Sequence, residues 1–417
     1  MKKLKYIPIA VCGMLVLQSC FKDDKDLFSV PASERLEARM NQTQDSLTAS
    51  PYGWVMDYYP DQTKTSGGYT YVMEFKEDSH ASVGYELAKP DERKESIYEM
   101  VADEGPVLIF NTYNEYMHHF ATPSSSDYQG LGGDYEFIIM DIQPGYIKTK
   151  GKKSKNIMTM YRLDIPSEEY LTQRTETEKW ITNPIVKLTD GNNSLKFTQV
   201  INKHVYTQED KTKQPFVFTN KGLRLMRPIT IDNVQVQNFV LSENKDHLVS
   251  TTNDHIIMKG ELVSWMLENT ANRSKKYNIS RSKVGGGIEM LYDAFIESLK
   301  KENKRTLLNF AFLHNSNDYA LYIQVKQGST KYSAYYYFDV IQQEQEETIK
   351  LKYKGLGENI SSENPNAEAF LNNELKALFG YIGNQVFTVS SAKGSLNADH
   401  LKWGNNDTWI EFTVAGK

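Results

Sequence analysis

The feature that most limits what this chain can become is a rhythm of short aromatic and β-branched runs, each closed by turn residues, that begins at Trp54. Trp54-Val55-Met56-Asp57-Tyr58-Tyr59, Tyr69 to Phe75 and Ala81 to Leu87 all have the length and composition of strands, with Gly67-Gly68 turning the chain between the first two. Links so short cannot hold a parallel crossover, so the strands run antiparallel. The same texture continues through Pro106 to Phe110, Tyr116 to Phe120, Tyr135 to Ile139, Tyr146 to Thr149 and Ile157 to Leu163. It returns in Ser194 to Ile201, Phe216 to Asn220, Leu223 to Met226, Val234 to Leu241 and Thr306 to Leu313. Tyr319 to Val325, Ser333 to Val340, Thr348 to Tyr353, Val386 to Val389 and Trp409 to Val414 complete it.

Helical signals are fewer. Leu36, Met40 and Leu47 fall near one face of a helix that runs to about Thr48, with Ser33 as its expected N-cap and Ser50-Pro51-Tyr52-Gly53 as its stop. Pro166-Ser167-Glu168-Glu169 opens a second helix toward Ile181. Others are expected at Gly260 to Glu268, at Ile288 to Lys301 with Leu291, Ala294, Phe295 and Leu299 as one stripe, and at Asn366 to Phe379. The fold class is therefore α+β and β-dominated: antiparallel sheets, as a meander, a sandwich or an open barrel, with a few flanking helices. Each half reads helix, strands, helix, so two similar halves are expected, an N-terminal domain over 32–205 and a C-terminal one over 206–417. The boundary lies between 204 and 254, where Glu243 to Asp254 is polar.

The first twenty residues address the chain. Lys2, Lys3 and Lys5 precede the apolar run Ile7 to Leu17, which is shorter than the roughly 20 residues of a membrane span and has the layout of a signal peptide over 1–19. Leu17-Gln18-Ser19-Cys20 resembles the lipobox of bacterial lipoproteins, which implies that Cys20 is lipidated and heads a short tether over 20–31. Acyl chains there contribute about 0.8 kcal/mol per buried methylene to membrane retention. The acidic stretch Lys22-Asp23-Asp24-Lys25-Asp26 is similar to the surface-export signal of Bacteroidetes lipoproteins. The expected location is the outer membrane, facing outward, with the periplasmic face as second choice.

Charge narrows the partners. Loss of three lysines with the leader takes the formal charge from −5 to −8, and nucleic acid, which needs a basic footprint, is not an expected partner. The densest basic run, Lys148, Lys150, Lys152, Lys153 and Lys155 around Gly151, lies between two strands and reads as a solvated hairpin turn. Of the two cysteines, Cys12 leaves with the leader and Cys20 takes lipid, so no disulfide is expected.

Ser50-Pro51-Tyr52-Gly53-Trp54, Gly67-Gly68-Tyr69, Gly105-Pro106-Val107-Leu108, Asn111-Thr112-Tyr113-Asn114 with His118 beyond, Gly132-Gly133-Asp134-Tyr135-Glu136-Phe137 and Gly151-Lys152-Lys153 follow in that order. Together they resemble a family of Bacteroidetes lipoproteins known only as a domain of unknown function. The resemblance covers essentially the whole chain and implies an accessory role beside SusC-like and SusD-like uptake systems. It brings no catalytic residues to carry over.

Catalytic and metal motifs are thin. His118-His119 lacks the His-Glu-x-x-His pattern of a zinc helix, and on a strand over Tyr116 to Phe120 the two rings would point apart. Asp190-Gly191-Asn192-Asn193 and Gly404-Asn405-Asn406-Asp407 read as hairpin turns rather than calcium loops. Gly130-Leu131-Gly132-Gly133-Asp134 and Gly285-Gly286-Gly287 read as flexible loops rather than phosphate cradles. No Gly-x-Ser-x-Gly elbow occurs, and no metal or cofactor is expected. The aromatics are more suggestive: 26 tyrosines, 18 phenylalanines and 5 tryptophans, with Tyr335-Tyr336-Tyr337-Phe338 showing rings to both faces of one strand. Rings at a surface stack on sugars and anchor proteins.

These residues lead to a surface lipoprotein that binds rather than catalyses, an accessory part of a glycan or peptide uptake system beside a SusC/SusD-like transporter. Trp54, Tyr113, Trp403 and Trp409 are the expected ligand-binding rings. The rival readings are a surface hydrolase of polysaccharide or peptide, which needs two carboxylates or a metal in a cleft, and an adhesin-like structural protein with a flat aromatic patch.

Overall fold

The computed structural model describes residues 30–125, 128, 130–200, 202–268, 276–315, 318–356 and 367–414. The leader, Cys20 and nearly all of the 20–31 tether lie outside the described residues. The β-dominated α+β architecture expected from the strand rhythm is what forms, as two similar closed eight-stranded barrels followed by a nine-stranded sheet.

Helix α1 (Ala32–Thr48) leads into the first barrel, but its N-cap is Pro31, and Ser33 makes no side-chain cap. The barrel is a pure meander of β1 (Trp54–Tyr58), β2 (Tyr69–Phe75), β3 (His80–Tyr85), β4 (Lys94–Asp103), β5 (Gly105–Phe110), β6 (Glu136–Gln143), β7 (Tyr146–Gly151) and β8 (Ile157–Arg162). It closes where Val55 of β1 pairs with Tyr161 of β8. Strand alternation sends Trp54, Met56 and Tyr58 inward with Tyr71, Met73, Phe110, Phe137, Met158 and Met160 into one buried cluster. Eight strands leave just the space that side chains fill, so the lumen is a core and not a pore. Its two mouths are plugged. At one, α1 delivers Leu47, and the Trp54 indole donates to the Leu47 carbonyl at 3.0 Å. At the other, the β5–β6 connection delivers Tyr116, Met117 and Phe120.

Two sequence expectations fail here. Tyr116 to Phe120 is not a strand but a helical turn, because the buried Asn114 carboxamide oxygen accepts the N–H groups of Tyr116 and Met117 and the His118 N–H bonds back to the Asn114 carbonyl. Strand β4 was not anticipated: its inward face holds little beyond Ser96 and Tyr98, while Glu95, Ile97 and Glu99 are exposed.

Helix α2 (Ser167–Trp180) lies on the outer wall of β1 and β2, covering Val55 and Val72 with Tyr170 and Leu171. The second barrel follows: β9 (Ile185–Thr189), β10 (Ser194–Gln199), β11 (Val205–Gln208), β12 (Lys213–Phe218), β13 (Gly222–Ile231), β14 (Val234–Leu241), β15 (His247–Ser250) and β16 (Ile257–Gly260), closed by pairing of β16 with β9. The 204–254 interval therefore falls inside one sheet, and its polar tract holds the short strand β15, which sends Leu248 into the barrel core. The buried Leu396, from much later in the chain, joins this barrel's core.

After α3 (Leu262–Glu268) comes the nine-stranded sheet: β17 (Lys276–Asn278), β18 (Val284–Gly286), β19 (Thr306–Asn315), β20 (Asp318–Gln327), β21 (Thr330–Gln342), β22 (Thr348–Gly355), β23 (Val386–Ser391), β24 (His400–Gly404) and β25 (Thr408–Val414). Tyr277 of β17 pairs with Val414 of β25, so the sheet returns on itself. Helix α4 (Gly287–Asn303) packs against it, as do α5 (Ala367–Phe370) and α6 (Asn373–Gly383), which replace the single helix expected over 366–379. Asn372 divides them by accepting the Leu375 N–H at the N-cap of α6. The glycine triplet 285–287 is no loop: Gly285 and Gly286 extend β18, and a Cβ on Gly285 would enter the Trp409 indole at 2.3 Å. Among the described residues no helix is long and apolar enough to cross a membrane.

Candidate functional site

The four expected ligand-binding rings separate. Trp54 and Trp403 are 1% and 2% exposed, each inside a hydrophobic core, and their faces are unavailable to a ligand. Inward register put them there: each sits on the core side of its strand. Trp409 is half-buried against Gly285, with the Lys402 ammonium 4.9 Å from its ring centre. Tyr113 alone stands out, 67% exposed.

It does not stand alone. The turn that plugs the first barrel turns its other side to solvent, and there the Tyr113 ring lies 5.2 Å from the His118 ring, which stacks at 4.5 Å and 23° on Tyr135. Tyr135 is 36% exposed, so the three rings form a platform open to solvent on the cap of the barrel.

The motifs that carried the family resemblance build this cap. Asn114, 1% exposed, also donates from its amide to the Lys94 carbonyl at 2.9 Å, and the Thr112 hydroxyl accepts the Ile97 N–H at 2.8 Å. These bonds fix the start of the turn to β4. Gly133 is packed so closely that a Cβ would meet Phe120 at 2.6 Å, and Tyr58 brackets the next residue by donating to the Asp134 carbonyl and accepting its N–H. The Asp134 carboxylate in turn accepts from Lys153 and Ser154, holding the β7–β8 turn under Gly151. Burial pushes this carboxyl above the usual range while those N–H groups pull it back. Its task is to hold a turn, not to move protons. The basic run is solvated as expected, with Lys152 between Asp103 at 2.6 Å and Glu136 at 2.9 Å.

Burial holds the His118 imidazole below its ordinary value, against a hydrogen bond to Asn114, so at neutral pH the middle ring is uncharged. A neutral platform suits a polyhydroxylated or aromatic ligand, which stacks without needing a counter-charge. His118 and His119 do not combine into a metal site; among the described residues no group of three histidine, cysteine or acidic side chains is placed to hold a metal ion.

A second recess, of about 340 Å³, lies between the two barrels. Tyr59, Tyr146 and Tyr161 of the first barrel and Met226, Pro228 and Gln237 of the second line it. Its one lining carboxylate, Asp57, is bound to Arg224 at 3.0 Å, and the guanidinium stacks 3.8 Å from the Tyr161 ring centre. Burial raises the Asp57 carboxyl while Arg224 pulls it down. Glycoside hydrolysis needs a pair of carboxyl groups facing one bond, and this lining offers one, already committed. Sequence reasoning missed this crevice, although it left a trace: Asp57 interrupts an otherwise apolar strand, and Arg224 sits between Leu223 and Leu225. A charge in such a run demands a partner.

No curated protein sequence matches this chain. Among solved structures, the beta subunit from DNA polymerase of Streptococcus pyogenes aligns over 92% of this chain and 97% of that one, at 10% identity and a TM-score of 0.13, too low to carry a structural argument. The profile of the family described as Domain of unknown function (DUF4302) matches residues 24–243, from before α1 to just past β14, and the chain belongs to that family.

Proposed function

We propose that this chain is a lipid-anchored outer-membrane protein of Bacteroidetes, facing outward, that binds a glycan or peptide for a SusC/SusD-type uptake system. The observation that supports the reading best is the exposed stack of Tyr113, His118 and Tyr135 on the capped mouth of the first barrel. A ring platform tied to a closed barrel by the Asn114 and Thr112 side chains is preorganised, so a ligand meets it without first ordering it. Cys20 supplies the anchor in this reading, and a ligand captured at the platform passes to the transporter at the same membrane.

Binding of the purified protein to a glycan and peptide panel, with Tyr113→Ala and Tyr135→Ala beside it, tests the site. A loss of tenfold or more in either variant is the expected result. A ligand whose affinity ignores both substitutions overturns the assignment of the platform. Capture of a SusC/SusD-type pair by the native lipoprotein from solubilised membranes tests the partner, and mass analysis of the native N-terminus tests acylation of Cys20.

A further inference from the structure

Strand β13 is distorted where it reaches the first barrel. Between the pairs Arg224 with Asn238 and Ile229 with Val236, the residues Leu225 to Pro228 stand opposite Gln237 alone. Such a bulge re-aims side chains and is common beside binding sites. This one is pinned from both flanks, the Gln237 amide donating to the Leu225 carbonyl at 2.9 Å and the Gln214 amide to that of Arg227 at 2.6 Å. It carries Met226 and Pro228 to the wall of the inter-barrel recess, whose 340 Å³ falls in the range of small-molecule sites, about 300–1,000 Å³.

The opposite wall is one face of the first barrel. β1, β8 and β7 pair so that Asp57, Thr159 and Lys148 form one row across them, with Tyr161 and Tyr146 in the next. Side chains paired in this way lie about 4.5–5.5 Å apart at Cβ. The two bonds from Arg224 to Asp57 hold this wall against the bulged one.

Two facts set the recess apart from a packing defect. First, Tyr59 lines it while only 3% exposed, and its hydroxyl makes no hydrogen bond to any described residue. Its neighbour Tyr58, equally buried, is bonded twice to Asp134. Buried hydroxyls are as a rule hydrogen-bonded, so an occupant of the recess has this one to satisfy. Second, the other polar groups of the lining are not spent on each other. The Gln237 Nε2 is committed to the bulge, but its Oε1 accepts from no described residue, and Lys148 has no carboxylate within 4 Å among them. The recess thus offers a hydroxyl, an amide acceptor and an ammonium donor beside the apolar Met226, Pro228 and Ile157. A sugar ring has that same division, hydroxyls at its edge and carbon on its face. Asp57 is already neutralised by Arg224, so an uncharged ligand meets no unpaired buried charge there.

From this geometry we infer that the inter-barrel recess is a binding site for a single pyranose ring, with Tyr59, Gln237 and Lys148 taking its hydroxyls and Met226 and Pro228 its carbon face. It is a different site from the ring platform and stands whether or not the platform binds anything.

Titration of the purified protein with the methyl glycosides of glucose, galactose and mannose, followed by NMR, tests it, with cyclohexanol as a ring of the same size that lacks the hydroxyls. The expected result is saturable binding of at least one glycoside, weakened by about fivefold in Tyr59→Phe, as loss of one neutral hydrogen bond predicts, and unchanged in Tyr113→Ala. Thermal melting confirms that each variant is folded, and Lys148→Ala, at an exposed position, gives an independent loss of affinity should Tyr59→Phe unfold. No saturable binding of any glycoside, cyclohexanol binding as tightly, an affinity unmoved by both recess substitutions, or binding lost in Tyr113→Ala instead would each overturn the assignment.

Discussion

The two junctions between the successive β units are built from opposite materials. Between the barrels the contact is ionic and buried. Arg174 of α2 meets Glu86 at 2.8 Å with both side chains no more than 3% exposed, and also bonds Glu178. His204 stands against Glu86 at 3.4 Å and Glu178 at 3.5 Å, while Asp57 and Arg224 form a second buried pair. Between the second barrel and the third sheet the contact is main chain and neutral amide. The N–H groups of Thr182 and Asn183 both donate to the Leu396 carbonyl, and the Asn183 amide donates to that of Ser395. Its charged groups are marginal: Glu346, which bridges Lys187 and Lys259, is 65% exposed. The exception is Glu347, whose carboxylate accepts the first N–H groups of α3, those of Leu262 and Val263. Buried ions make an interface selective about its partner and intolerant of losing one member, whereas main-chain bonds and an inserted leucine hold by shape alone.

That contrast breaks most visibly at Arg174. Arg174→Met leaves Glu86 buried beside fewer positive charges and should destabilise the protein by about 3–5 kcal/mol in urea or thermal unfolding. A cost below 1 kcal/mol would mean that the ionic junction does not organise the two barrels.

The second junction should respond less. Glu347→Ala removes a helix cap and should cost about 0.5–2 kcal/mol, measured in the same way. A loss as large as that of Arg174→Met would make the two junctions energetically alike.

The smallest effect is expected from pH. Burial alone would lower the His204 imidazole, but Glu86 and Glu178 outweigh it, against the opposing Arg174, and hold it above its ordinary value. A base raised in the folded state contributes stability fully present below its unfolded pKa, near 6.5, and lost as pH climbs through the folded value. The melting temperature should therefore fall as pH rises from 6 into the alkaline range, and His204→Gln should flatten that slope. A slope unchanged by the substitution would remove His204 from the junction's charge balance.

Much of this is legible along the chain because short aromatic and β-branched runs bounded by turn residues mark strands whether one face is buried or both. Trp54 to Tyr59, Tyr69 to Phe75 and Thr306 to Leu313 are legible for that reason. β4 is not, since Glu95 and Glu99 on its outward face hide the apolar half, and β15, β17 and β18 are only three or four residues each. The candidate site was half legible. Tyr113 and His118 lie in one motif, but Tyr135 joins them through the fold, and Trp54 and Trp403 were misplaced because a ring says nothing about which side of its strand it will face. Asp57 and Arg224, 167 positions apart, meet only in three dimensions.

The pairing of Tyr277 with Val414 bears on how the molecule is made. The first barrel has all its strands once the ribosome has passed Arg162, and it can lock while the rest is still being translated. The third unit has no such freedom: β17 waits for β25, the last described strand, and until it arrives an unmatched edge stays open to strangers. Truncations and stalled chains should therefore spare the N-terminal unit and leave the C-terminal one prone to aggregation.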